Sequence, residues 1–211
     1  MGSGREGNIM KLIWMTLAVM FLALPRLHAA DYTFGSDNCD FQMVFPEKPV
    51  TTSRCNPEKP DQCYKVITFN RIFALDSGIS VTVTCNPAEE NMLQRYSGEV
   101  MEYTLQTMMD GGGDKADEQS SFDDYGDAKE ATLLGQRTMP DGTDKIYMAQ
   151  LWIGKNSVLT AQGEITGPAS NEADTLFTNI MKSISLKSLA NQDKDKKESA
   201  PVAEQKEPAE K

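Results

Sequence analysis

Four cysteines, a run of carboxylates and a single histidine are the residues of this chain with chemistry to offer. Cys39, Cys55, Cys63 and Cys85 supply thiols for a zinc site, a redox pair or disulfide bridges. Structural zinc sites and redox pairs both favour C-x-x-C spacing, which is absent here. Cys85 precedes a predicted helix, a place that lowers a thiol pKa and keeps sulfur exchange in view. Two bridges are the expected use of the four. The carboxylates Asp110, Asp114, Asp117, Glu118, Asp123, Asp124, Asp127 and Glu130 crowd one stretch. Hard cations gather several such oxygens, so Asp114, Asp117, Asp123, Asp124 and Asp127 are candidate Ca²⁺ ligands, although their spacing does not match an EF-hand loop. Paired carboxylates also run glycoside hydrolysis, which needs aromatic platforms in a cleft. Trp152 and Tyr147, on one predicted strand, read instead as core. The only histidine, His28, lies in the first thirty residues. The rest of the chain therefore has no histidine for a Ser-His-Asp or Cys-His nucleophile. There is no G-x-S-x-G, P-loop or dinucleotide fingerprint. Gly111, Gly112 and Gly113 precede Asp114, which would repel a phosphate.

The cysteines become bridges only where thiols oxidise, and the start of the chain supplies the route. Lys11 precedes an apolar run, Leu12–Leu24, of 13 residues that Pro25 breaks, and Ala29 and Ala30 follow. A membrane-spanning helix needs roughly 20 residues. The pattern is that of a secretory signal peptide over residues 1–29, with translation starting at Met1 or Met10 and cleavage after Ala29 or Ala30. The expected location is periplasmic or extracellular, with no membrane span after cleavage.

The chain carries 21 basic and 31 acidic residues, a net charge of −10. Without Arg5, Lys11, Arg26 and Glu6 of the leader, 18 basic residues face 30 acidic, a net charge of −12. Such a balance repels nucleic acid and an anionic leaflet. Residues 191–211 alternate Lys, Asp and Glu with Ala and Pro and hold one aliphatic residue larger than alanine, Val202. They cannot bury enough apolar surface to offset ordering, so a disordered tail is expected, and 30–190 is read as a single domain.

The elements that must position these groups follow from periodicity. Phe41, Met43 and Phe45 alternate with polar neighbours in a short strand that Pro46 stops. Tyr64–Ala74 and Ile79–Thr84, joined through Asp76, Ser77 and Gly78, read as a hairpin. A helix is predicted from Asn86 as cap and Pro87 as first residue, with a stripe of Leu93, Tyr96, Val100, Tyr103 and Thr107 that Met92, Met101 and Met108 widen. A mobile acidic loop is predicted from Asp110 to Tyr125. Strands follow over Asp127–Met139, Lys145–Ile153 and Val158–Ile165, with turns at Pro140–Thr143 and Gly154–Asn156. A last helix capped by Ser170 or Asn171 carries Ala173, Leu176, Phe177, Ile180, Met181 and Ile184 on one face. The expected fold is α+β. An antiparallel sheet of about six strands is covered by two amphipathic helices, an α/β/α sandwich in β-β-β-α-β-β-β-α order.

Strand parity orders the cysteines. Cys39 is in phase with Phe41, Met43 and Phe45, and Cys85 with Ile79, Val81 and Val83, so both lean inward. If those strands run antiparallel side by side, Cys39 meets Cys85, and Cys55 and Cys63 pin the Pro-rich connection between them. Strand Phe41–Phe45 ending in Phe45-Pro46, the strand and helix order, and the closing helix with Phe177, Ile180, Met181, Ser183 and Ile184 resemble the PsbP/Mog1-like superfamily over about Phe41–Leu186. The resemblance implies an α/β/α sandwich and non-enzymatic work as an accessory subunit, assembly factor or binding module. It implies no functional residue. The expectation is a secreted accessory or binding module with an envelope protein or complex as partner and no cofactor. The alternative is a calcium-binding protein or carboxylate-based hydrolase using residues 110–130.

Overall fold

Alternation of apolar and hydroxyl side chains builds the centre of the fold. In a computed structural model that describes residues 31–56, 59–73, 77–109 and 114–188, Ile79, Val81 and Val83 are buried while Ser80, Thr82 and Thr84 are half-exposed. Residues 1–30, which hold the expected leader, the Gly111–Gly113 run and residues 191–211 lie outside the described residues. The main sheet has seven strands, all antiparallel. They are β3 (Val50–Asn56), β4 (Lys59–Ile72), β5 (Gly78–Pro87), β6 (Asp114–Asp124), β7 (Lys129–Thr138), β8 (Asp144–Ile153) and β9 (Ser157–Thr166). Their spatial order is β3-β4-β5-β9-β8-β7-β6, so two meanders join where β5 meets β9. A small antiparallel sheet holds β1 (Tyr32–Phe34), β2 (Phe41–Phe45) and β10 (Ser185–Leu186), with β2 central.

The class is α+β and mainly antiparallel, but the detail departs from the expected six strands and two helices. Residues 114–124 form β6, not a loop, and pair with β7 from Asp114↔Thr138 to Asp124↔Lys129. An edge strand has water along one side, so it accepts charges that a central strand would not. The helix predicted from Asn86 does not start there. β5 continues through Asn86↔Val158 and Pro87↔Ser157. Two helices follow, α1 (Met92–Arg95) and α2 (Gly98–Met108), and Ser97 caps the second by accepting from the Val100 N–H. A Cβ on Gly98 would lie 2.8 Å from Phe122 Cγ, so glycine there lets the helix start sit directly on β6.

Helix α3 (Asn171–Lys182) begins at Ser170, whose Oγ accepts from the Ala173 N–H, and buries Ala173, Phe177, Ile180 and Met181. Full burial of one such large side chain contributes roughly 1.5–3 kcal/mol. Phe177 lies on the glycine of β9, where a Gly163 Cβ would stand 2.5 Å from its ring.

Two cores result, one on each face of the main sheet. Tyr147, Ala149, Leu151 and Ile153 of β8 pack with Met101 and Leu105 of α2. The alternate residues Met148 and Trp152 join Phe41, Phe45, Val81, Leu159 and the buried face of α3. Helix α2 rests on β6, β7 and β8, and α3 on β9, β5 and β2. Each helix therefore covers only part of its face.

Candidate functional site

The acidic segment is the first place where chemistry was expected, and extension disperses it. A strand rises about 3.3 Å per residue, so Asp114 and Asp124 are roughly 30 Å apart, whereas Ca²⁺ draws its oxygens to about 2.4 Å. Asp123 and Asp124 are neighbours on β6 and project to opposite faces. Asp124 accepts from the Gly126 N–H at 2.8 Å and faces Lys129 at 4.0 Å. Asp127 pairs with Lys155 at 2.7 Å. Asp117 sits at the bulge between Ala116 and Gln119, with a left-handed φ of 52°. Asp110 lies outside the described residues. Among the described residues no three His, Cys, Asp or Glu side chains converge to hold a metal ion. The sequence reading placed Asp114, Asp117, Asp123 and Asp124 in one loop and Asp127 at the start of the next strand; the structure strings the first four along β6 and puts Asp127 in the turn that follows.

Two carboxylates that sequence reasoning left in the crowd are instead tied to tyrosines. Glu130 accepts from Tyr125 Oη at 3.0 Å and from Thr132 Oγ1 at 3.1 Å. Burial holds its carboxyl above the usual carboxylate range, the two hydroxyl donors pull it back, and Asp123 across the ladder raises it further. Tyr125 is itself pushed up to about 12, first by burial and then by Glu130. Its ring stacks on Trp152, centroids 5.8 Å apart and planes 5° from parallel. Glu118 accepts from Tyr147 Oη, and the Arg137 guanidinium lies 4.8 Å over the Tyr147 ring. Burial and Glu118 push Tyr147 up to about 12 against the opposing pull of Arg137. Arg137 also donates to the Met109 carbonyl at the end of α2. Gly135 leaves the room for this ring, since a Cβ there would stand 2.5 Å from Tyr147 Oη. Glu130 neighbours Trp152 on the α3 side, while Glu118 meets Tyr147 of the α2 core. The sheet separates them, so they do not form an acid/base pair across a cleft. Trp152 and Tyr147 are buried, as read, and offer no sugar platform.

The cysteines form two bridges. Cys39–Cys85 joins the entry to β2 to the end of β5, and Cys55–Cys63 links directly opposed residues of β3 and β4. The first does not arise from side-by-side strands. β2 belongs to the small sheet, so the bridge runs between sheets. Beside it lies a cavity of about 350 Å³ lined by Asp37, Asp40, Asp127, Lys155 and Lys187. Four of its five charged side chains are engaged, Asp127 and Lys155 with each other. Lys187 Nζ donates to the Ser36 carbonyl at 2.6 Å, and Asp40 accepts from the Asn156 and Ser157 N–H groups at 2.7 and 3.1 Å. Asp40 is thus a tie between the small sheet and the β8–β9 turn, which its place just before a strand did not announce. A second cavity of about 360 Å³ lies between Thr138, Ile146, Ile165, Pro168 and Asp174.

What stands open is sheet. Beyond α2, the same face shows Thr68, Ser80, Thr82, Thr84, Thr160 and Gln162, half-exposed on β4, β5 and β9. Thr84 and Thr160 hydroxyls lie 2.7 Å apart across the ladder, and Lys145 pairs with Glu164 at 3.0 Å on its border. Such a surface presents hydroxyl and amide groups. Among the described residues no helix is long and apolar enough to cross a membrane.

No family model matches the chain, and no curated protein matches it. Among solved structures, the chain is similar to cyanobacterial PsbP (CyanoP) from Synechocystis sp. PCC 6803, with a TM-score of 0.45 and 12% identity over 78% of this chain and 97% of that one. A PsbP protein is among the structures this chain resembles, and no residue role or activity is carried across.

Proposed function

We propose that this chain is a non-enzymatic binding or accessory module that works in the periplasm or outside the cell, with residues 1–29 removed on export and an envelope protein or complex as partner. Two bridges in a chain of four cysteines fit an oxidising compartment. The finer α/β/α layering belongs to the same reading, with α2 and α3 on opposite faces of one sheet. The observation that carries it is the half-covered sheet. Thr82, Thr84, Thr160 and Gln162 present hydroxyls and an amide on a rigid central surface. Sites built on strands hold their groups more precisely than sites on loops.

A photo-crosslinking residue at Thr82 or Gln162, in cells that produce the protein, tests this. The expected result is one recurring crosslinked envelope protein from both positions, and none from Asn179 on the outer side of α3. Equal yields from all three positions, or no adduct at Thr82 and Gln162, would sink the reading.

A further inference from the structure

The two edges of the main sheet are built differently. β6 is bulged between Ala116 and Gln119, carries Asp117 in a left-handed conformation, and bears Glu118, Asp123 and Asp124. Bulges and charges are what keep an edge from pairing with another chain. β3 has neither along most of its length. Its register with β4 runs unbroken from Val50↔Thr68 to Cys55↔Cys63, and shifts only past Cys55. Residues 50–55 are all exposed, Val50 to 65%, and they read Val-Thr-Thr-Ser-Arg-Cys, a sequence well suited to a strand. The Cys55–Cys63 bridge fastens the end of β3 to its neighbour, so little ordering remains to oppose pairing.

Charge identifies the occupant. Within 50–55 and 63–72 stand Arg54, Lys65 and Arg71 and no carboxylate, in a chain whose net charge is −10. All three cations are exposed, and none forms an ion pair among the described residues. Strand alternation puts Arg54 on the face of Thr52, and Lys65 and Arg71 on the other, so an added strand meets positive charge on both faces. It would lie about 5 Å from β3 and about 10 Å from β4, within about a Debye length of Arg54 and Lys65, while Arg71 lies three residues beyond the Val50↔Thr68 pair. A second copy would bring Arg54 towards its own equivalent and set two acidic chains against each other. We infer that β3 is an open edge that accepts an extended acidic segment of a partner protein as an eighth strand. The inference rests on the reading of the chain as a binding module and adds one edge to its open face.

The test uses the purified protein and a fluorescein-labelled heptapeptide of alternating glutamate and valine, followed by anisotropy and by hydrogen exchange. Two control peptides replace glutamate with lysine or methylate alternate backbone nitrogens. The expected result is binding that weakens with salt, slowed exchange confined to residues 50–55, and at least about tenfold weaker binding for Arg54→Glu and for either control. Arg54 is exposed, and unchanged circular dichroism of Arg54→Glu verifies its fold. The inference is overturned by equal binding of the lysine peptide, by protection elsewhere, or by no binding at millimolar peptide. Protection of 50–55 that grows with protein concentration alone would name a second copy as the occupant and overturn it too. Failure here alongside crosslinks from Thr82 and Gln162 would remove the edge and leave the module standing.

Discussion

Glu130 occupies a place where a negative charge is costly: burial removes its water, Asp123 repels it from across the ladder, and only the Tyr125 and Thr132 hydroxyls offset this. Its folded pKa is therefore above the ordinary 4.5. A raised pKa means that the native state holds this proton longer than the unfolded chain. The resulting stabilisation is complete below the unfolded value and is lost as pH rises through the folded one. Glu130→Gln keeps an acceptor for one hydroxyl and removes the titration. Its stability should fall less than that of the parent as pH rises from 4.5, and at pH 7 it should at least equal the parent. Urea unfolding of both proteins between pH 4 and 8 measures this. A parent that gains stability over the variant across that window would refute the assignment.

At the level of the element, α2 separates what periodicity reveals from what it hides. The stripe Leu93, Tyr96, Val100, Tyr103 and Thr107 assumes one helix from Asn86, yet Tyr96 is extended, with φ −88° and ψ 114°, and Ser97 starts a new helix. Each helical residue turns the face by about 100°, so a break erases the phase carried from upstream. Met101, which widened the expected stripe, is buried, and so is Leu105, which lay outside it, while Tyr103 is 71% exposed and Val100 is 45% exposed. Leu105→Ala should therefore cost about 2–5 kcal/mol, and Tyr103→Ala no more than about 0.5 kcal/mol. Thermal or urea unfolding reads both, and a reversed order would restore the sequence-derived stripe. Helix α3 was legible because it is uninterrupted: Ser170 caps it and Ala173, Phe177, Ile180 and Met181 fall on one face. β5 was legible through its alternation. β6 was not, because an edge strand in water needs no apolar pattern beyond Phe122, and polarity alone reads as loop. The carboxylates from Asp114 to Asp124 read as a cluster for the same reason, and along an extended strand they lie apart.

For the whole molecule, parity could say that Cys39 and Cys85 face inward but not that β2 leaves the main sheet. The consequence is a bridge that fastens one sheet to another, supported by Asp40, whose N–H donates to Ser157 Oγ at 2.7 Å and whose carboxylate receives the β8–β9 turn. The two bridges thus differ in task. Cys39–Cys85 spans 46 positions and Cys39 is only 3% exposed, while Cys55–Cys63 spans 8 and both its residues are exposed. Loop-closure entropy assigns about 4 kcal/mol to the long closure and about 2.6 kcal/mol to the short one. Replacing Cys39 and Cys85 with alanine should lower stability more than the same change at Cys55 and Cys63, because it also frees the small sheet from the core. A thiol reductant acting on the folded protein should open Cys55–Cys63 first, since exchange needs access to sulfur. Trapping with a mass-tagged alkylating agent over time resolves the order. Early labelling of Cys39 and Cys85 would mean that the two sheets part readily, and that the small sheet docks onto the larger one without being part of its core.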